Sequence, residues 1–141
     1  MSTSVTPHPI RILVIDDDDI SREMLCETLR QAGHEVFDLP SAIGATRAIA
    51  SGRIEAVVLD VMMPSINGDK LARLLRQASN GEHLTIVLVS SRSIDELEAL
   101  AATAQADAVL SKSMVRKELA RSLQRAHRHR MTLKRASGAS G

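Results

Sequence analysis

Aromatic residues are almost missing from this 141-residue chain, which has one Phe (Phe37), no Tyr and no Trp. Without rings there is no platform on which unpaired bases could stack. The chain also has one cysteine, Cys26, so an internal disulfide is excluded and a reducing cytoplasm fits. The expected role of Cys26 is a small buried thiol on a helix face. No apolar run approaches the roughly 20 residues of a membrane helix. The first nine residues, Met1 to Pro9, lack the apolar stretch of a secretory signal and read as a flexible tail.

What is present describes one folded domain with a proper core, at 44% hydrophobic and 25% charged residues. The net charge of +1 hides an asymmetry. Of the 18 Lys and Arg, six lie in residues 121–141, where there is no acid. All 17 acids therefore face only 12 bases within residues 1–120. The basic stretch reads as a solvated helix end and a flexible tail over 127–141, ending in Ser137-Gly138-Ala139-Ser140-Gly141. It has no aromatics, so nucleic acid is not an expected partner, and His127 and His129 are too few for a metal site.

The most informative stretch is Ala56-Val57-Val58-Leu59-Asp60. Four apolar residues without alternation predict a strand buried on both faces, and the run ends in a carboxylate. The chain then turns through Met62-Met63-Pro64 toward Asn67-Gly68. Arg11 to Ile15 is a second such strand and runs into Asp16-Asp17-Asp18-Asp19. A helix follows, with Ile20, Met24, Leu25, Thr28, Leu29 and Ala32 on one face. Asp18 or Asp19 can cap it and Gly33 stops it. Glu35 to Leu39 alternates, as expected of a half-exposed strand near a sheet edge.

Residues 41–51 predict a short helix closed by Gly52. Asp69 to Gln77 predicts another, with Leu71, Leu74, Leu75 and Ala78 inward. Leu84 to Val89 is a fourth strand that delivers Ser90 and Ser91. Ser93 can cap a helix from Ile94 to Thr103. Ala108 to Leu110 is a fifth strand leading into Ser111-Lys112. The last helix starts near Val115, with Val115, Leu119, Leu123 and Ala126 inward, and frays into the basic tail.

Strands alternating with helices imply a parallel sheet covered on both faces, with all strand carboxyl ends on one edge. The polar residues at those ends are Asp16 and Asp17, Asp60, Ser90 and Ser91, and Lys112. Converging carboxylates repel unless a cation sits among them, and oxygen ligands without His or Cys select a hard ion such as Mg²⁺. Lys112 and Ser90 would then neutralise and hydrogen-bond phosphoryl oxygens around an Asp nucleophile.

The chain resembles the receiver domain of two-component response regulators across residues 10–126. The matching stretches are Ile12 to Asp17, Leu59 to Gly68, Val87 to Ser91 and Ala106 to Lys112. The resemblance implies a flavodoxin-like, CheY-like doubly wound five-stranded parallel sheet of strand order 2-1-3-4-5. It implies Asp60 as phosphoacceptor, fed by a phosphohistidine on a sensor histidine kinase or histidine phosphotransfer protein. Asp17, Asp60 and the Met62 backbone carbonyl would bind Mg²⁺ directly, and Asp16 through water. Ser90 would be the switch hydroxyl and Lys112 the phosphate-binding lysine, acting on a downstream target protein.

Three positions depart from the family. Ser113 stands where proline usually follows the lysine, Gln105 where glycine is common, and Val109 where Tyr or Phe is usual. The usual aromatic toggle therefore cannot exist, and output is expected through the Ser90–Ser93 loop and the Ile94–Thr103 helix. The expected protein is a phosphorylation-driven binding switch, not a metabolic enzyme. An Asp-nucleophile phosphatase would want an acid at Met62. The alternatives are a receiver-like interaction domain independent of phosphorylation, or a receiver fragment of a larger regulator.

Overall fold

A computed structural model of the chain describes residues 8–62, 68–77, 83–91 and 105–139, together with Asp95, Glu98, Ala99 and Ala102. The turn at Pro64 and Asn67, Ala78 on the third helix, the Ser93 cap and most of the Ile94–Thr103 helix lie outside the described residues. The elements in order are β1 (Arg11–Ile15), α1 (Asp19–Gln31), β2 (Glu35–Leu39), α2 (Ala45–Gly52), β3 (Ala56–Asp60), α3 (Gly68–Gln77), β4 (Thr85–Ser90), β5 (Ala108–Ser111) and α4 (Val115–Ala139).

The strands form one five-stranded sheet in the order β2-β1-β3-β4-β5, and every pairing is parallel. Alternate residues of the same strands feed two cores. Leu13, Ile15, Val57, Leu59, Ile86 and Leu88 pack with Leu71, Ala72 and Leu75 of α3 on one side. Ile12, Val14, Ala56, Val58, Val87 and Val89 pack with Leu25, Cys26 and Leu29 of α1 and Val115, Leu119 and Leu123 of α4 on the other. Burial on both faces is why the central strands read as unbroken apolar runs. β2 is an edge strand and is mostly uncovered rather than strictly alternating, with Val36 its one buried residue and Phe37 exposed beneath the Arg11 guanidinium.

Asp18 is the N-cap of α1, its carboxylate accepting from the Ser21 amide at 2.7 Å. Gly33, at φ 96°, ends that helix, its N–H donating to the Arg30 carbonyl. Cys26 is buried as expected, and burial pushes its thiol up to about 11.

Several expectations need correction. Ile20 is 81% exposed, because the buried arc of α1 is set by Leu25, Cys26 and Leu29 and the helix rotates Ile20 away from it. Leu74 is 56% exposed for a similar reason, since Leu71, Ala72 and Leu75 centre the buried arc of α3 and leave Leu74 on its shoulder. The second helix begins at Ala45, not near residue 41, because Gly44 at φ 84° ends the preceding loop. Arg53 at φ 52°, not Gly52, takes the left-handed cap.

The last helix does not fray after Ala126 but continues to Ala139, 25 residues and about 37 Å. Its extension is anchored. Arg130 Nε donates to Asp107 Oδ1 at 2.6 Å, and Asp107 Oδ2 accepts from Arg76 of α3 at 3.1 Å and from the Ile86 amide at 2.8 Å. One half-buried carboxylate thus ties α3, β4 and α4 together. Asp107→Ala should cost about 3 kcal/mol, because it removes the acid that faces the Arg76 guanidinium, 7% exposed, and leaves it carbonyl acceptors such as those of Leu84 and Gln105. Arg130→Ala should cost about 1–2 kcal/mol, since Asp107 keeps Arg76. Urea unfolding followed by far-ultraviolet circular dichroism should give that order.

Two histidines sit at the opposite, amino-terminal edge of the sheet. His34 Nδ1 accepts from the Ile10 amide at 3.0 Å, and His127 Nδ1 lies 3.3 Å from Thr85 Oγ1. Burial lowers both imidazoles from the ordinary 6.5, with Glu55 opposing. The folded state thus holds fewer protons than the unfolded one. This stability is fully present above 6.5 and is lost as pH falls below it. The urea midpoint should drop between pH 7.5 and about 5.5, and His34→Gln should flatten that slope.

Candidate functional site

Parallel pairing brings four strand ends to one edge. β1 ends at Ile15 and delivers Asp16 and Asp17, β3 ends in Asp60, β4 in Ser90 and β5 in Ser111. Ser90 and Ser111 are partners in register. Carboxylate oxygens of Asp16, Asp17 and Asp60 lie within 4.8 Å of one another, with Asp17 exposed and the other two buried. Among the described residues this is the one grouping of three or more potential metal-binding side chains.

Lys112 completes the arrangement. Its Nζ is 3.2 Å from Asp16 Oδ2 and 3.4 Å from Asp60 Oδ2. Ser113 in place of proline does not keep the lysine away. The Ser111 side chain accepts from the Ser113 amide and caps a 3-10 turn over Lys112–Met114, which aims the lysine stem back over the sheet edge. Burial pulls the Lys112 ammonium down, but Asp16 and Asp60 outweigh it and its pKa is raised. It stays charged.

Asp60 experiences the converse. Burial raises its pKa, the Met62 amide at 3.0 Å and Lys112 pull it back, and Asp16 adds to the rise. The net direction is upward, as expected where negative charge is crowded into a dry site. Ser90 is fully buried, whereas the Met62 side chain is exposed beyond the edge. Asp18 and Asp19 are not part of the cluster. The first caps α1, and the second pairs with Arg22 at 2.6 Å.

Ser21 and Arg22 were not singled out by sequence reasoning. Ser21 Oγ donates to Asp16 Oδ2 at 2.5 Å, and Arg22 Nη1 donates to the Asp16 carbonyl at 2.7 Å. Arg22 also reaches Asp38 on β2 at 2.9 Å. Its pKa is raised, chiefly by the Asp19 hydrogen bond. The available signal was the acid run itself: a buried Asp16 must find donors, and the first turn of the next helix is where they can come from.

The donor set suits a hard cation. It is all oxygen, it carries excess negative charge, and one of its members is solvent-facing, so a hydrated ion can enter. The residues therefore fit Mg²⁺. No helix among the described residues is long and apolar enough to cross a membrane.

Residues 12–124 match the response regulator receiver domain family. The response regulator MprA of Mycobacterium sp. (strain KMS) is 39% identical over 111 residues, covering 79% of this chain and 47% of that protein. MprA of Mycolicibacterium vanbaalenii is 40% identical over the same shares. The chain thus spans about half the length of the curated relatives it matches. Among solved structures, a sensor protein from Polaromonas sp. JS666 superposes with TM-score 0.77 at 32% identity, covering 88% of this chain and 99% of that one. The response regulator protein TrrA of Thermotoga maritima, solved with Mg²⁺ and BeF, gives TM-score 0.72 at 29% identity, covering 83% and 98%. With the family match spanning residues 12–124, relatives about 40% identical and the fold shared with these structures, the chain belongs to the response regulator receiver domain family.

Proposed function

We propose that Asp60 accepts a phosphoryl group from a phosphohistidine on a sensor histidine kinase or histidine phosphotransfer protein, and that the modified domain alters its binding to a downstream target protein. The observation that carries this reading is the Lys112 ammonium bridging buried Asp16 and Asp60, with Asp17 beside them at the strand ends. An Asp60 carboxylate oxygen attacks phosphorus, the phosphorus–nitrogen bond breaks, and the imidazole leaves and takes up a proton. The protein's part is positioning and charge neutralisation. The Met62 amide fixes Asp60, Lys112 meets a phosphoryl oxygen, and the Ser90 hydroxyl meets another.

Asp17, Asp60 and the Met62 backbone carbonyl would hold Mg²⁺, with Asp16 acting through water. The bound cation would offset the charge that phosphorus oxygens add to an already acidic pocket. TrrA, of similar fold and solved with Mg²⁺ and BeF, supports the choice of Mg²⁺ as the ion. A receiver-like domain working without phosphorylation would be favoured by a displaced lysine, and Lys112 is not displaced.

Intact mass after incubation with Mg²⁺ and a small acyl phosphate tests the reading. Wild-type protein should gain one phosphoryl group, Asp60→Asn should gain none, and Lys112→Ala should be slowed at least about tenfold. Phosphorylation that persists in Asp60→Asn would show that another residue is the acceptor. In a Mg²⁺ titration, Asp17→Ala should weaken binding far more than Asp18→Ala or Asp19→Ala, because those two serve the helix start. Equal losses in all three would refute the ligand assignment.

A further inference from the structure

Asp16 is fully buried, and its carboxylate has three donors. The Asp18 amide reaches Oδ1 at 2.9 Å, while Oδ2 is shared between Lys112 Nζ at 3.2 Å and Ser21 Oγ at 2.5 Å. Ser21 is itself fixed, since its amide donates to the Asp18 carboxylate at 2.7 Å. The hydroxyl could have behaved otherwise. Elsewhere in this chain Thr28 Oγ1 donates to the Met24 carbonyl and Ser51 Oγ to the Arg47 carbonyl, the ordinary habit of hydroxyls on helices. Ser21 instead spends its proton on a buried carboxylate five residues back.

We propose that Ser21 is a positioning residue for the phosphoryl-transfer site: its hydroxyl holds Asp16 so that Lys112 can be released to the phosphoryl group and a hydrated divalent cation can be received. The inference rests on the reading of Asp60 as acceptor and Lys112 as its phosphate-binding partner. When Lys112 turns toward a phosphoryl oxygen, Asp16 Oδ2 loses one donor. A carboxylate with no exposed surface cannot replace it with bulk water, and an unpaired charge there is costly. Ser21 keeps that oxygen satisfied throughout. Without the hydroxyl, Lys112 is the one donor left on Oδ2 among the described residues, so the buried ion pair grips harder. The carboxylate plane also loses one of its two fixed anchors. Both effects disfavour the cation, because Asp16 must present an oriented oxygen to the water between it and the ion.

The test is Mg²⁺ affinity of the unphosphorylated protein, by calorimetry or amide chemical shifts, alongside the rate of phosphoryl uptake from a small acyl phosphate at saturating Mg²⁺. Ser21→Ala should weaken Mg²⁺ about tenfold, the low end for loss of an outer partner, because Asp16 acts through water. It should also slow uptake when Mg²⁺ is saturating, which a loss of metal affinity alone would not do. Ser21→Thr should restore both, and Thr28→Ala should match wild type. Should Ser21→Ala fail to fold, Ser21→Thr against Ser21→Val makes the same comparison at equal shape. Wild-type Mg²⁺ affinity and rate in the hydroxyl-free variants would overturn the proposal while leaving Asp60 as acceptor. A wild-type protein that takes up neither Mg²⁺ nor a phosphoryl group would overturn both readings.

Discussion

Three carboxylates at one sheet edge cannot stand together without a positive charge, and the Lys112 bridge between Asp16 and Asp60 supplies it. Two like charges about 4 Å apart repel by up to ~4 kcal/mol at an effective dielectric near 20. The fold bears that repulsion because the strands that deliver the acids are buried on both faces and cannot splay. Charge crowding is also what gives the edge its chemistry. In the function proposed above, a divalent cation or a phosphoryl oxygen would compete for the same charges that Lys112 now balances.

Most of this architecture was legible because the central strands obey one simple rule. A strand covered on both faces needs unbroken apolar residues, and a chain that ends such a run in Asp, Ser or Lys announces where the polar edge lies. Asp16, Asp17, Asp60, Ser90 and Lys112 were all reachable that way. Their partners were not. Ser21 and Arg22 belong to α1 by periodicity, and nothing local says which of their atoms face the site. The extent of α4 was misread for a related reason. A run of cations without acids resembles a solvated end, but Arg130 is held by Asp107, 23 residues away. Ile20 and Leu74 failed because apolar identity does not fix rotation of a helix. That is decided by the residues that meet the sheet.

The contact at Asp107 matters beyond the length of one helix. It lies where β5 begins, and Lys112 lies just beyond where the same strand ends. Asp107 binds Arg76, Arg130 and the Ile86 amide, so β5 enters the sheet from a fixed position. Two residues before it Gln105 sits at φ 59°, a left-handed conformation that costs a residue with a side chain about 1 kcal/mol or more. Receivers commonly carry glycine there. Its carbonyl accepts from Arg76 at 2.9 Å, so the same guanidinium that binds Asp107 also holds the strained residue. A local misfit is tolerated because a tertiary contact over-determines it.

The missing aromatic ring has a consequence for how a signal can leave the site. Val109 pairs with Leu88 in register and packs half-buried against the core that contains it. A valine side chain is stiff at χ1, short, and has no polar tip with which to sense a hydroxyl. It cannot swing between two positions as a ring does. What can rearrange is polar and lies at the strand ends: Lys112 between two carboxylates, and Ser90, in register with Ser111 across the β4–β5 pair. Asp16 connects that edge to α1 through Ser21 and the Asp18 amide. Arg22 extends the connection to β2. A shift of Lys112 away from Asp16 therefore reaches the start of α1 through hydrogen bonds alone. The first turn of that helix is thus hydrogen-bonded directly to Asp16 among the strand-end acids.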